Sequence, residues 1–497
     1  MYLGIDLGST SLKAAAFDAR RGRLLGQSEQ RLALATDESG RREQDPAALL
    51  RALRAALVSV RRQVGPCWKK IRGLGLAAQG GSTILVDRRT GVPATPMFLW
   101  NDTRAFAHFH RIAAQLPPRW WRAFSLRDEP GMGLARAQWI REKWPHRFAE
   151  NPLCVGAGEH VYFALTGEWR QDACHALQSG CYDARHHRLT NRPLKKLGLP
   201  ADLFAPLRRG HETHPLTRAA STLLHLPAGI PVAGPYNDHE AVYASLAGTS
   251  RRPLACSLGT AWVGNFVLPP AVQGVSPFQL CIPSPTGSGR QVIMPVMTGN
   301  VTLEWALATF VHSDRHVALT RAAQILSQHI LPPPGLVALA WLNRPNALRP
   351  TRIGSGAFFG INPATTPSDL FRAVVAAMTF EFSRVLDPVV TTGAVDSLVL
   401  CGGAAKSRPI RSLFAALFAP TPIHQAIETE MMGARGCLYA FAPQIARAPV
   451  APVRIEAGLD RKDLAAARGL YLETFDRLCG HIPAGKPYTP GRCPDPL

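Results

Sequence analysis

Ile5-Asp6-Leu7-Gly8-Ser9-Thr10-Ser11-Leu12-Lys13 is the stretch whose reading decides the fold. Ahead of it Tyr2-Leu3-Gly4-Ile5 is apolar and strand-like, behind it Leu12 to Asp18 is strand-like again, and the small polar residues between form a hairpin tip. Such a tip offers backbone N–H groups with no side chains in the way, which is what a polyphosphate needs. The form returns in the middle of the chain, where Ala255-Cys256-Ser257-Leu258 leads through Gly259-Thr260 into Ala261-Trp262-Val263-Gly264-Asn265-Phe266. Both halves therefore open on Leu-Gly-(Ser/Thr), a weak internal repeat.

Three further junctions have a related shape. The strand Ile71 to Ala78 ends in Gln79-Gly80-Gly81-Ser82, read as a flexible polar tip before Ile84-Leu85-Val86-Asp87 resumes a strand. Pro231-Val232-Ala233-Gly234-Pro235-Tyr236-Asn237 is a strand with a glycine turn that delivers Asp238 to the mouth of a helix running through Glu240 to Leu246. Ser397 to Leu400 passes through Cys401-Gly402-Gly403-Ala404-Ala405-Lys406-Ser407 into a helix over Ile410 to Phe418. Elsewhere, Asp45-Pro46 is placed to cap and open a helix, Leu370 to Leu386 reads as a long amphipathic helix, and Lys462 to Leu478 as another, followed by a Pro-rich tail expected to be poorly ordered. The polar, proline-stopped Thr249-Ser250-Arg251-Arg252-Pro253 puts a domain boundary near 248. Residues 105–225 read as mostly helical and irregular, with no chemistry legible from spacing.

Composition bounds the classes. The 497 residues are 46% hydrophobic and 18% charged, which is globular and long enough for two large α/β domains. The net charge of +21 comes from 56 Lys and Arg against 35 Asp and Glu, but the basic residues are scattered and the densest run is only Arg20-Arg21-Gly22-Arg23. A nucleic-acid binder concentrates such charge with aromatic residues between, so no nucleic-acid partner is expected, and the excess suits steering of anionic ligands. The ten cysteines contain no Cys-x-x-Cys pair, and the grouping Cys174-His175, Cys181, His186-His187 fits no standard zinc spacing. With neither a leader-like N-terminus nor an apolar run of membrane length, the reading is a cytoplasmic chain with free thiols and no membrane partner.

The constellation with chemical content is the pair Asp6 and Asp238. In one reading Asp238 accepts the proton of a substrate hydroxyl as it attacks a terminal phosphate, and Asp6 holds Mg²⁺ directly or through water. In the other, Asp238 merely caps its helix. Lys13 either offsets phosphate charge or is an exposed strand lysine.

In these motifs the chain resembles the FGGY carbohydrate kinases, within the actin, Hsp70 and sugar-kinase superfold, and most closely their xylulokinase-like branch. The resemblance covers roughly residues 1–445 and rests on Ile5 to Lys13, Leu99-Trp100-Asn101-Asp102-Thr103-Arg104, Asn237-Asp238 with Gly248, Ser257-Leu258-Gly259-Thr260, Gly356-Ala357-Phe358-Phe359-Gly360 and Gly402 to Ser407. It implies two ribonuclease-H-like α/β domains around a central cleft, a sugar-binding one over 1–247 and a nucleotide-binding one over 248–445, followed by a helix and tail over 446–497. It further implies ATP with Mg²⁺ as cofactors and a ketose or polyol as substrate. Asp238 becomes the catalytic base and shares the magnesium with Asp6. The phosphate and nucleotide residues would be Gly8, Ser9, Thr10, Lys13, Gly259, Thr260, Gly402, Gly403, Ala404 and Ser407. Gln79, Gly80, Gly81, Trp100, Asp102, Arg104 and Asn237 would shape the sugar pocket, although Trp100 also suits core packing and Asp102 and Arg104 also suit pairing with each other. The sequence is silent on oligomeric state, with a homodimer the one partner form considered.

Departures from the pattern are expected to matter. Gln79-Gly80-Gly81-Ser82 stands where xylulokinase-like members carry Gln-Met-His-Gly, which puts xylulose specificity in doubt; Tyr236 adds bulk beside the pocket; Arg435 and Asn300 either tune nucleotide binding or do nothing. Two competing readings are an ATP- or sugar-sensing protein without turnover and a chaperone or filament ATPase of the same superfold.

Overall fold

The computed structural model describes residues 1–149, 151–269, 279–296, 299–340, 356–455 and 459–479. They form two compact units. The first comprises residues 1–247 with Leu280–Gln291 and Met431–Ala448, the second Gly248–Gln279, Val292–Glu430 and the chain from Pro449 onward. The chain thus changes unit at 247/248, and it also returns twice to the first unit from far along the sequence.

The first unit contains strands β1 (Tyr2–Leu7), β2 (Ser11–Phe17) and β3 (Leu24–Arg31), helix α1 (Pro46–Val64), strand β4 (Leu74–Ala78), helices α2 (Met132–Lys143), α3 (Ala157–Thr166) and α4 (Ala173–Ser179), strands β5 (Thr213–Pro215) and β6 (Pro231–Asn237), and helix α5 (Asp238–Leu246). Its sheet runs in the order β5-β6-β4-β1-β2-β3. The expected hairpin is there: β1 and β2 pair antiparallel with Asp6 opposite Lys13. β1 and β6 both flank β4 in parallel, and β4 is buried along its whole length, as a strand covered on both faces should be. Asp45 caps α1 by accepting the Ala47 N–H at 3.0 Å, Pro46 takes the first helical position, and Leu49, Leu53, Ala56, Leu57 and Val60 recur at helical spacing on the buried face. That face joins Leu3, Ile5, Leu74 and Leu76 in the core under the sheet. A separate apolar cluster, including Phe98, Trp121, Leu134, Ile140 and Phe204, holds the helical 105–225 region together.

The second unit's elements begin with the hairpin β7 (Pro253–Leu258) and β8 (Trp262–Leu268), the counterpart of β1 and β2. They continue with most of β10 (Arg290–Val296), the 25-residue helix α6 (Pro367–Thr391), β11 (Ser397–Cys401), α7 (Arg408–Leu417), β12 (Ile423–Ala426), β13 (Val450–Pro452) and α9 (Arg461–Cys479), whereas β9 (Leu280–Pro283) and α8 (Met432–Gly436) belong to the first unit. The second unit's strands run in the order β10-β8-β7-β11-β12-β13, with β7 and β11 parallel. The expected Gly-x-Phe-x-Gly strand is observed as Ala357–Phe359, paired antiparallel with Val337–Leu339. The predicted helices over 370–386, 410–418 and 462–478 correspond to α6, α7 and α9; the Pro-rich tail beyond 479 lies outside the described residues.

α8 and the residues after it belong to the first unit for a steric reason. A Cβ at Gly4 would lie 1.6 Å from the Ala434 carbonyl oxygen, and one at Gly436 1.7 Å from that of Ala241, so α8 sits directly on the backbones of β1 and α5. Arg435, expected either to tune nucleotide binding or to do nothing, has a structural task. It is buried, donates through Nη1 to the carbonyls of Gly22 (2.9 Å) and Ile445 (3.0 Å), and stacks over Phe17 at 4.4 Å.

Among the described residues the cysteines are free, no disulfide forms, no cluster of three His, Cys, Asp or Glu offers a metal cage, and no helix is long and apolar enough to cross a membrane.

Candidate active site

Parallel pairing sets Leu7, Ala78 and Asn237 side by side at the carboxyl ends of β1, β4 and β6. Open α/β sheets bind ligands at that edge. Three of the loops picked out in the sequence therefore leave one edge together: Gly8-Ser9-Thr10 after β1, Gln79 to Ser82 after β4, and Asp238 after β6. Gly8 closes the first tip by donating to the Ser11 carbonyl at 3.0 Å, and Thr10 at its apex is exposed.

Asp238 is not the cap of its helix. Asn237 is: its side chain accepts the His239 N–H at 3.0 Å, and Glu240 reaches back to the Asn237 N–H at 3.3 Å, a capping box. Glu240 is itself held by Arg208 at 2.7 Å. Asp238 is thereby the first helical residue, its carboxylate about one-third exposed, with Oδ1 accepting the His239 N–H at 2.9 Å.

Asp6 is half-buried one residue before the end of β1. Burial raises its carboxyl to about 6; Lys13 across the hairpin pulls down and Asp238 pushes up. Gly433 of α8 lies against it so closely that a Cβ there would stand 2.4 Å from Asp6 Oδ2.

The loop after β4 is not the flexible tip expected. Gln79 and Ser82 are buried, the Gln79 Nε2 donates to Gly8 O at 3.4 Å, and Ser82 Oγ accepts the Ala157 N–H at 3.0 Å. Arg136, buried on α2, binds this loop to the Leu99–Asp102 segment. Its guanidinium donates to the carbonyls of Gly81, Leu99 (2.7 Å) and Trp100 (2.9 Å). Burial lowers it to about 10, so it stays charged at neutral pH. Trp100 is partly exposed beside Gly81 and, among the described residues, joins no core cluster. Asp102 and Arg104 do pair with each other: the guanidinium bridges Asp102 and Glu43 at 2.6 Å each and lies over Trp139 at 5.0 Å. Asp102 also accepts the Arg42 N–H at 2.9 Å. Tyr236, expected beside the pocket, is sealed in the core, with Arg208 3.9 Å above its ring and its hydroxyl 2.8 Å from His211 Nδ1.

The second unit repeats the arrangement with β7 and β11. Gly402, at φ 90°, brings its loop against the end of β7: a Cβ there would lie 2.7 Å from the Leu258 carbonyl carbon and 3.0 Å from Gly259 N. Gly259, Thr260, Gly402 and Gly403 thus gather at one strand edge, with Ala404 buried in the single helical turn that follows. Two side chains hold the loops there. Thr429 Oγ1 accepts the Gly402 N–H at 2.5 Å, and Asn300 joins Leu258 O (3.1 Å) to Trp262 Nε1 (3.1 Å). Ser407 caps α7, its hydroxyl accepting from the Ile410 N–H.

Two family models match this chain: the N-terminal domain of the FGGY family of carbohydrate kinases over residues 1–244, and the C-terminal domain of that family over 254–440. The chain belongs to the FGGY family of carbohydrate kinases. It is thereby an ATP-dependent carbohydrate kinase. Among its relatives, the xylulose kinase of Escherichia coli (strain K12) is 24% identical over 422 residues, 84% of each chain. Among solved structures, the xylulose kinase from Rhodospirillum rubrum superposes with a TM-score of 0.80 at 19% identity, covering 96% of this chain and 97% of that one. The gluconate kinase from Lactobacillus acidophilus gives 0.80 at 17% identity, with 96% and 98% coverage. These likenesses carry the two-domain fold.

In this FGGY kinase, the donor chemistry at the first edge suits magnesium. Asp238 lies near enough to Asp6 to disfavour its ionised form, both are hard oxygen donors, and neither is neutralised by an ion pair with Arg or Lys among the described residues. Sequence reasoning missed Arg136, Thr429 and Gly433. The first lies in the segment where spacing showed no chemistry, and it acts through backbone carbonyls that leave no motif.

Proposed function

We propose that this kinase transfers the γ-phosphoryl group of ATP to a hydroxyl of a ketose or related polyol, with Asp238 as the general base. The observation that carries this reading is the position of Asp238 at the strand edge, relieved of capping by Asn237 and beside Asp6. A base must be within reach of the proton it takes, and a partly exposed carboxylate at the strand edge, not engaged as the cap of its helix, is placed for that. Asp238 takes the proton of the acceptor hydroxyl, whose oxygen then bonds to the γ-phosphorus as the bond to the β-phosphate bridging oxygen breaks, leaving ADP.

Asp6 and Asp238 would hold Mg²⁺, which when bound supplies charge neutralisation to the phosphates. Gly8, Ser9 and Thr10, with Gly259 and Thr260, offer backbone and hydroxyl donors to phosphate oxygens, and Lys13 adds positive charge behind the first tip. Gly402, Gly403 and Ala404 would take the adenosine. Ser407 acts on that loop by fixing the start of α7. On the acceptor side Gln79, Gly80, Gly81, Trp100 and Asn237 line the site; Asp102 and Arg104 stiffen its wall through their own pairing. The similarity in sequence to a xylulose kinase and in fold to xylulose and gluconate kinases favours an open-chain, hydroxyl-rich acceptor.

The test is acceptor-dependent ADP release with Mg·ATP across pentuloses, hexuloses, polyols and sugar acids. Asp238→Asn should lower turnover with the best acceptor by about 10²–10⁴-fold while leaving the KM for ATP within a few-fold. Turnover equal to the unaltered protein would remove Asp238 from the role of base.

A further inference from the structure

Gln178 stands in the last turn of α4. Its backbone is pinned: a Cβ at Gly131, just ahead of α2, would lie 2.5 Å from the Gln178 carbonyl oxygen, and Asp172 caps α4 through the His175 N–H at 2.9 Å. From there the side chain reaches the loop after β4. Its Oε1 is 2.3 Å from the point a Cβ on Gly80 would occupy and 3.3 Å from that of Gly81, whose other near neighbour is Trp100 Cβ at 3.2 Å. Gly80 has no left-handed φ, so what its missing side chain provides is room. The room is shared by two polar atoms, because Asn237 Nδ2 lies 2.7 Å from the same point.

Gln178 Oε1 is buried and accepts no hydrogen bond among the described residues. Nor does the buried Oε1 of Gln79 on the adjoining loop. Buried acceptors in native proteins are nearly always paired, and one aimed into an open space is paired by what enters that space. Asn237 Nδ2 is a donor with no partner among the described residues, on the residue before Asp238. An acceptor and a donor about one point match a hydroxyl, which gives one hydrogen bond and takes another.

We propose that Gln178 is the specificity-determining residue for the acceptor: a substrate hydroxyl donates to Gln178 Oε1 and accepts from Asn237 Nδ2, and this contact orients the hydroxyl-rich chain toward Asp238. The inference rests on the reading of Asp238 as the site of transfer. It gives Gly80 a purpose, since any side chain there would displace the Gln178 carboxamide. It also selects for an acceptor with a hydroxyl next to the reacting one and against its deoxy analogue.

The test measures acceptor binding by calorimetry in the presence of Mg·ADP, which does not depend on turnover, using D-xylulose, glycerol and gluconate on the full chain. For the neutral acceptor bound best, Gln178→Met, which keeps length and volume but removes the acceptor atom, should weaken affinity ~10–100-fold. Gln178→Glu, which keeps an acceptor, should restore it to within a few-fold for a neutral compound while weakening gluconate by charge repulsion. Gly80→Ala should reproduce the loss caused by Gln178→Met. The KM for ATP should stay unchanged throughout, which a general folding defect would not allow. Affinity within about two-fold of the unaltered protein in Gln178→Met, for all three compounds, overturns the proposal. Asp238→Asn run alongside separates the two readings: retained acceptor binding with undiminished turnover there refutes the base and leaves Gln178 standing. An unaltered protein that binds none of the three overturns both.

Discussion

At Asp6, burial and the nearby Asp238 carboxylate hold the acid at about 6 against the pull of Lys13. The unfolded chain releases this proton near the ordinary value of 3.8, so between about pH 4 and about pH 6 the folded state binds more protons than the unfolded one, and stability falls as pH rises through that window. Glu159 and Asp172, both raised to about 7 chiefly by burial, slope the same way, so the informative quantity is a difference. Without metal, thermal melts of the unaltered protein should lose more stability between those pH values than melts of Asp6→Asn; equal slopes would show that Asp6 carries no buried charge. Asp238 makes the complementary point about legibility. The sequence left open whether it caps its helix or acts as a base, and only the side-chain geometry of Asn237 and Glu240 shows that the cap is elsewhere.

Among the elements, α2 matters most for the site although it lies in the stretch that reads as mostly helical and irregular, with no chemistry legible from spacing. It carries Arg136 into a ring of carbonyl oxygens from Gly81, Leu99 and Trp100, which fixes two loops from different parts of the chain at one distance. Arg136→Met would leave those buried acceptors without donors. A loss of about 2–4 kcal/mol in urea unfolding is expected, together with a larger rise in the KM for acceptor than in that for ATP. Arg136→Lys, which keeps the charge and part of the donor set, should recover some of both. An unchanged urea midpoint in Arg136→Met would mean that water replaces the guanidinium. The strands and capped helices were legible because local chemistry decides them: Asp45-Pro46 starts α1, and apolar runs between glycine turns make β1, β4, β6, β7 and β11. The loop after β4 was misread as flexible because its rigidity comes from Arg136, Ser82 and Gln79 contacts with residues remote in sequence.

For the whole molecule, the first unit closes only when Met431–Ala448 returns to it. Ala15 and Phe17 share a buried cluster with Met431, Ala434, Leu438 and Ile445, Tyr2 stacks on Phe441 at 5.2 Å, and Arg435 ties Gly22 to Ile445. A fragment of residues 1–247 contains the whole stretch matched by the N-terminal family model and still lacks this cover. It should bind a hydrophobic dye and unfold without a cooperative transition, while the full chain melts cooperatively. A sharp calorimetric transition in the fragment would show that α8 is dispensable to the unit. The order of motifs along the sequence by itself determined the two-domain α/β architecture and the family, because strand, turn and cap signals are local and their succession is specific. Tertiary structure alone decided which polar groups are spent and which are free. Asp102, Arg104, Arg435 and Tyr236 are occupied by partners remote in sequence or by each other, whereas Gln178 Oε1 is left without a donor beside a glycine ninety-eight positions away. Hydrogen-bond satisfaction depends on which chains of atoms meet in space, and no spacing along the backbone encodes that.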